Sequence, residues 1–152
     1  MRSRIEIRSL EPDKSRFVRI DNGKEHSMDH AIHSAEVFSK CNPMLVGTGG
    51  LVLFPGTPLL DEANRGEFTP LSEREMLIEL KTFVEHLTCD CTFITHHTVS
   101  GKNLTGPDFL KRKDSIVAAL DHEIQHGDMD KSEAPGRRWF FPSSVKGSWT
   151  CR

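Results

Sequence analysis

The chain has 152 residues, of which 36% are hydrophobic and 28% charged, and its net charge at pH 7 is -2. This length suits one domain with a buried core, and the small net charge argues against a surface for nucleic acid or for an acidic membrane. No apolar run reaches the roughly 20 residues of a membrane-spanning helix, and the alternating start Ile5-Glu6-Ile7-Arg8 is not a signal-peptide pattern. We therefore expect a cytoplasmic location.

The spacing of the four cysteines matches neither a disulfide framework nor a metal site. No secretory context favours disulfides, and Cys89 and Cys91 form a CxC rather than the CxxC that is typical of zinc ligands and redox motifs. We therefore predict free thiols at Cys41, Cys89, Cys91 and Cys151.

The first third of the chain predicts two short strands and one helix. The strands are expected at residues 5–9 and 16–20. Apolar residues then recur at helical spacing between residues 27 and 41, and Pro43 stops that helix. Its apolar stripe consists of Met28, Ala31, Ile32, Ala35 and Phe38.

Residues 51–54 are four consecutive apolar residues, a pattern typical of a strand that is covered on both faces in a parallel sheet. A turn is expected next, because Pro55 and Pro58 cannot donate to a ladder and Gly56 permits a positive φ. Thr57 precedes a proline and so avoids the helical region. Ligands of parallel sheets bind in loops after the carboxyl ends of strands, so this turn is either a candidate site or a plain connection.

The next helix has the clearest start in the sequence. Ser72 and Glu75 form a capping box, and Leu71 stands where a hydrophobic staple onto Met76 is expected. Its apolar stripe consists of Met76, Leu77, Leu80, Phe83, Val84 and Leu87. The side that we expect to face solvent carries Glu79, Lys81 and Glu85.

The second half of the chain adds one strand and one helix. Residues 91–96 are rich in Thr and Ile, as in a strand, and a helix is expected at residues 108–125. Alternating helices and strands with short links predict βα units and a parallel sheet, hence an α/β fold. A full eight-fold barrel needs roughly 250 residues, so we expect a partial parallel βα barrel of about two to three units.

The sequence His122-Glu123-Ile124-Gln125-His126 matches HExxH, in which two histidines one turn apart share zinc and the glutamate activates water. On the predicted helix both histidines lie opposite the apolar stripe, toward solvent. A third ligand would have to come from a residue such as Glu133. The motif therefore indicates either a zinc metallopeptidase or, as we favour, a solvated helix face.

Two further groups of histidines are candidates. On the first helix, a metal site of the HD type would need a His-Asp dipeptide and distant partners, whereas the order here is Asp29-His30. We therefore predict that His30 and His33 are exposed. His96 and His97 stand where the predicted strand 91–96 ends, and because neighbours in a strand point to opposite sides, one of the two can face a site.

Several segments together resemble the carboxyl-terminal part of radical SAM proteins, such as the oxygen-independent coproporphyrinogen oxidases. The resemblance covers residues 23–125. It rests, in chain order, on Gly23-Lys24-Glu25-His26, Cys41-Asn42-Pro43, Leu51-Val52-Leu53-Phe54-Pro55-Gly56-Thr57-Pro58-Leu59, Arg65-Gly66-Glu67-Phe68-Thr69-Pro70-Leu71-Ser72 and His96-His97-Thr98.

This resemblance implies a partial βα barrel that binds a 4Fe-4S cluster and S-adenosylmethionine, and that cleaves the latter to a 5'-deoxyadenosyl radical. It divides the chain into a degenerate strand segment (1–22), the carboxyl-terminal βα units (23–127) and a loose polar tail (128–152). The residues that it implies for cofactor binding are Val52, Leu53, Phe54 and Pro55, and those facing the substrate are His96, His97 and Asn103.

The CxxxCxxC motif that holds the cluster in this family is absent from the sequence. Without three thiolates there is no cluster and no reductive cleavage. We therefore expect a fragment of such a protein that is inactive alone and whose partner is the missing amino-terminal half of the barrel. The alternatives are the zinc metallopeptidase and a non-catalytic module that pairs an open sheet edge with a partner.

Overall fold

The computed structural model describes residues 16–20, 23–51, 53–95, 98–99 and 102–127, with backbone alone at 98–99 and 102–103. Within these ranges no helix is both long enough and apolar enough to cross a membrane. The strand predicted at residues 5–9, the tail 128–152 and Cys151 lie outside them. In chain order the elements are β1 (Arg16–Ile20), α1 (Ser27–Cys41), β2 (Leu45–Gly50), α2 (Pro58–Asn64), α3 (Glu73–His86), β3 (Thr92–Thr95), β4 (Thr98–Val99), β5 (Lys102–Asn103) and α4 (Phe109–His126).

The first three strands form a parallel sheet in the order β1-β2-β3, which confirms the α/β class. α1 connects β1 to β2, and α2 with α3 connects β2 to β3, so the described residues contain two parallel βαβ crossovers. The register aligns Val18 with Thr48, and Thr48 with Thr95. In the described part of the chain these strands form an open sheet rather than a closed barrel.

Helices α1, α3 and α4 cover one face of this sheet. Along β1, Val18 and Ile20 are buried whereas Phe17 and Arg19 are exposed, so alternate side chains point to a covered and to an open face. α3 packs between α1 and α4, and the core lies between these helices and the sheet. Its largest fully buried apolar side chains are Phe83, Phe93, Phe109, Ile20, Leu80, Leu87, Ile116 and Leu120.

The predicted helices are confirmed together with the signals that delimit them. α1 spans residues 27–41 as expected and ends at Asn42, whose φ of 45° is left-handed and whose amide donates to the Phe38 carbonyl. At the start of α3 the capping box is complete, since the Ser72 hydroxyl accepts from the Glu75 amide and the Glu75 carboxylate accepts from the Ser72 amide. All six apolar residues predicted for the α3 stripe are buried.

The strand predicted at residues 51–54 is wrong. β2 lies immediately before it, at Leu45–Gly50, and the ladder ends where the Leu51 amide donates to the Ile20 carbonyl. Leu53 is half-buried and Phe54 is 52% exposed. The sequence did not predict β2 because three of its six residues are glycines, which are depleted in strands.

The turn predicted after residue 54 is present, and a helix that the sequence did not indicate follows it. Gly56 has a φ of 81° and Thr57 is extended, as expected of a residue before proline. Thr57 is also the N-cap of α2, and Pro58 occupies its first position, where the missing amide costs nothing.

The third unit departs from a regular βα barrel. After β3 the chain forms the β4-β5 hairpin and returns antiparallel to β3, with Phe93 and Gly106 exchanging two backbone hydrogen bonds. α4 then starts beside the beginning of β3, where the Phe109 amide donates to the Cys91 carbonyl. The return segment covers the outer edge of β3, whereas no described strand pairs with the outer edge of β1.

Candidate functional site

The carboxyl ends of the three parallel strands define the candidate site. β1 ends at Ile20, β2 at Gly50 and β3 at Thr95, all at one edge of the sheet. Loops at this edge carry the ligand contacts in parallel α/β folds, because the strands deliver side chains there on a rigid frame. The segments that follow are the loop before α1, the turn before α2 and the β4-β5 hairpin.

The turn before α2 contains the residues expected to bind the cofactor. Thr57 closes it with two hydrogen bonds to the Phe54 carbonyl, from the amide at 3.2 Å and from the hydroxyl at 2.7 Å. Leu53 is half-buried, and Phe54 and Pro55 are exposed, so their apolar surfaces remain accessible at this edge. Val52 lies outside the described residues.

The open face of the sheet carries two glycines on β2 in different surroundings. Gly47 lies beneath the ring of Phe17, its register partner on β1, and a Cβ at Gly47 would overlap that ring. A Cβ at Gly49 would meet no atom of the described residues within 4 Å. Arg19 is the register partner of Gly49 and is exposed. Among the described residues, the face away from the helices therefore has open space beside a cation over the carboxyl-terminal half of β2.

Two segments that carry the family resemblance meet at this edge, although they are far apart in the sequence. The Lys24 amide donates to the Thr69 carbonyl at 3.2 Å, and Lys24 Nζ lies 3.1 Å from Glu75 Oε1. A Cβ on Gly23, whose φ is 81°, would lie 3.1 Å from the Phe68 ring. The loop before α1 is therefore fixed to the segment that leads into α3.

Hydrogen bonds to Glu75 stabilise its charged form. The Ser72 amide, the Ser72 hydroxyl and Lys24 hold the pKa of Glu75 below its ordinary value. One carboxylate thus both caps α3 and pairs with the loop before α1.

The structure describes only part of the residues expected to face the substrate. His96 and His97 lie outside the described ranges. Asn103 pairs with Thr98 in the β4-β5 hairpin, which directly follows the carboxyl end of β3. Its backbone is therefore near the expected edge, while its side chain is not described.

The histidines of the HEIQH sequence are exposed, as predicted. His122 and His126 lie on the last turns of α4, with ring centroids 4.8 Å apart. Within the described ranges no set of three or more His, Cys, Asp and Glu side chains could hold a metal ion. Glu133, the third ligand considered for a peptidase, lies outside those ranges, so the zinc metallopeptidase stays a prediction.

The prediction for the histidines of α1 is right for His33 and wrong for His30. His33 is exposed, whereas the His30 side chain is only 14% exposed and its Nδ1 lies 3.0 Å from Glu79 Oε1. Glu79 was expected to face solvent and is fully buried. A signal was available, since Glu79 lies three residues after Met76 and four before Phe83, both of which belong to the apolar stripe.

Three of the cysteines are free, as predicted, and lie away from the candidate site. Cys41 ends α1, and Cys89 and Cys91 precede β3, so all three lie at the amino ends of the strands. A hydrogen bond between the Cys89 and Cys91 thiols lowers the pKa of Cys89 and raises that of Cys91, and burial raises the pKa of Cys91 further. These thiols are on the wrong edge for a cluster at the candidate site.

No protein-family model, no curated protein and no solved structure matches the chain.

Proposed function

We propose that this chain is the carboxyl-terminal βα segment of a radical SAM protein and is active only together with amino-terminal βα units that hold the 4Fe-4S cluster. The observation that carries this proposal is the architecture of the sheet. Parallel strands with their helices on one face correspond to a wall of a βα barrel, whose open face would be the barrel interior.

The two edges of the sheet support this orientation. The antiparallel return segment covers the outer edge of β3, so further parallel strands could join only at β1. β1 precedes β2 and β3 in the chain, and strands that come before it would therefore join at the edge that is open. This arrangement suits the end of a barrel rather than its beginning.

Two features of the described residues support a contact with S-adenosylmethionine, whereas these residues contain no group of three side chains that could hold the cluster. Gly49 leaves room on the open face, and the apolar surfaces of Leu53 and Phe54 lie at the adjoining edge. We assign the adenine contact to these residues together with Pro55, and Val52 is included from the sequence alone. The bound cofactor would supply a 5'-deoxyadenosyl radical. This chain would form one apolar wall of the cavity and exclude water from it.

Anaerobic reconstitution of the chain with iron and sulfide tests whether the cluster is held by the preceding βα units rather than by this chain. We expect no stoichiometric iron-sulfur absorbance from wild type, and none from Cys89→Ser as a control for adventitious thiol binding. The longer protein that includes the preceding βα units is expected to form the cluster. A stoichiometric cluster in the isolated chain would contradict the proposal.

A non-catalytic module that binds a partner strand at β1 is the second candidate. It is favoured by the unpaired outer edge of β1 in the described structure and by the absence of CxxxCxxC from the sequence. Sedimentation and thermal unfolding test it, because a monodisperse monomer that unfolds cooperatively would count against a need for such a partner.

A further inference from the structure

Two exposed histidines lie one helical turn apart at the end of α4. His122 and His126 are spaced i and i+4, so their side chains share one face of the helix. Their ring centroids are 4.8 Å apart, with an angle of 31° between the ring planes. The core residues Ile116 and Leu120 bury a different side of α4, which leaves both imidazoles available to bind a ligand from solvent.

The hydrogen bonding of His126 fixes which nitrogen can bind a cation. Its Nδ1 lies 3.1 Å from the carbonyl oxygen of His122. A carbonyl only accepts, so in the neutral ring Nδ1 carries the proton and Nε2 keeps its lone pair. Histidines that bind metals commonly donate the other ring N–H to a carbonyl or carboxylate in this way, which fixes the tautomer and orients the ring.

The separation of the two rings matches the requirement of a shared ion. A metal-nitrogen distance of about 2.0–2.1 Å and an angle at the metal of about 90–109° place the centroids of two coordinating imidazoles about 4.5–5.2 Å apart. The observed 4.8 Å lies within this interval. At this separation the helix backbone need not move to bring the two rings within reach of one ion.

We propose that His122 and His126 form a two-histidine site for a divalent cation of borderline softness, such as Zn²⁺ or Ni²⁺, with water completing the coordination. No third protein ligand is present in the described ranges, so the ion is exchangeable rather than enclosed as in a structural zinc site. The site is independent of the radical SAM proposal, and it differs from a zinc peptidase because Glu123 has no catalytic role in it.

The bound cation would stabilise the end of α4. His126 is the last residue of that helix, and the nearby carbonyl of Ile124 accepts a hydrogen bond from Arg74 at the start of α3. An ion that links His122 to His126 resists fraying of this last turn and so preserves the contact between the two helices. A ligand that binds only the folded chain raises its thermal stability.

Calorimetric titration of the full chain with NiCl₂ at neutral pH tests the site. Ni²⁺ is the probe because imidazole suits it well, whereas the four thiols of the chain compete more strongly for Zn²⁺. We expect a site that His122→Ala and His126→Ala each weaken by about tenfold or more, since each removes one arm of the chelate. Both positions are exposed, and circular dichroism verifies that the variants fold.

His86→Ala is the matched control. His86 is also an exposed helical histidine whose Nδ1 lies 2.8 Å from the carbonyl of the residue four positions earlier, but that residue is Thr82. We expect this variant to keep both the wild-type nickel affinity and the nickel-dependent rise in Tm. Unchanged affinity in His126→Ala, or an equal loss in His86→Ala, would overturn the proposal.

Discussion

The two faces of the three-stranded sheet differ in how they are covered. On one face Val46 and Phe93 are fully buried beneath the helices, whereas on the other Phe17 is 70% exposed and lies over the bare backbone of Gly47. The covered face already forms a complete core. The open face combines an exposed aromatic ring, an exposed arginine and glycines, which suits a surface that further chain or a ligand covers.

The largest expected effect compares one residue type on the two faces. Phe83→Ala leaves a cavity in the core and is expected to lower the free energy of unfolding by about 3–5 kcal/mol. Phe17→Ala removes a mostly exposed ring and is expected to cost less than about 1 kcal/mol. Urea denaturation followed by circular dichroism measures both. Similar losses in the two variants would show that the open face is not open in the isolated chain.

Glu79 tests the helix layer on the covered side. Glu79→Ala leaves His30 without this partner in a nearly buried position and is expected to cost about 3 kcal/mol. Glu85→Ala is the matched control on the same helix, where the carboxylate is exposed, and is expected to change stability by less than about 0.5 kcal/mol. A double-mutant cycle with His30→Ala isolates the coupling between the two side chains. Equal effects of the two glutamate substitutions would contradict the buried position of Glu79.

The two glycines of the open face allow a comparison with a smaller expected change in stability, confined to two positions of β2. Gly47→Ala forces the Phe17 ring to move and is expected to cost about 1 kcal/mol. Gly49→Ala places a methyl group that meets no described atom within 4 Å, and it is expected to be neutral or slightly stabilising. Thermal unfolding of the two variants measures the difference. A greater loss at Gly49 would mean that the space above it is filled.

The last comparison concerns the capping box at the carboxyl edge, outside both faces. Because hydrogen bonds from Ser72 lower the pKa of Glu75 in the folded chain, its carboxylate stabilises the fold above about pH 4.3, the ordinary pKa of a glutamate. That stabilisation is lost as the pH falls through the lowered pKa.

Ser72→Ala tests this linkage and is expected to cost about 1 kcal/mol at neutral pH. The difference from wild type should shrink on acidification, once Glu75 is protonated in both proteins. Urea denaturation at several pH values measures it, with Ser115→Ala in α4 as a control at an exposed serine. A difference that stays constant down to acidic pH would argue against the carboxylate as the cause.

Helices proved more predictable than strands in this chain. The ends of α1 and α3 were predicted because Asn42 with Pro43 and the box at Ser72 act locally, through neighbouring backbone groups. β2 was missed because its glycines carry no hydrophobic pattern, and their suitability depends on the Phe17 ring from another strand. The apolar residues 51–54 were the more strand-like choice, yet they form the connection to α2.

The sequence predicted the parallel strand ends and the turn at which the candidate site is placed, but not the contacts around it. Its location after the strand ends follows from parallel topology, which short links between helices and strands already indicated. The pairing of Lys24 with Glu75 and that of His30 with Glu79 join residues about fifty positions apart. Such contacts depend on how α1 and α3 pack against each other, and a local sequence pattern does not predict that packing.

The coding sequence upstream of Met1, read in frame for about 250 codons, the length of a βα barrel, tests the central claim most directly. The claim that this chain completes a radical SAM barrel predicts an open frame that contains CxxxCxxC, is followed by βα units and continues into residue 1. A stop codon and a ribosome-binding site directly before Met1 would contradict it.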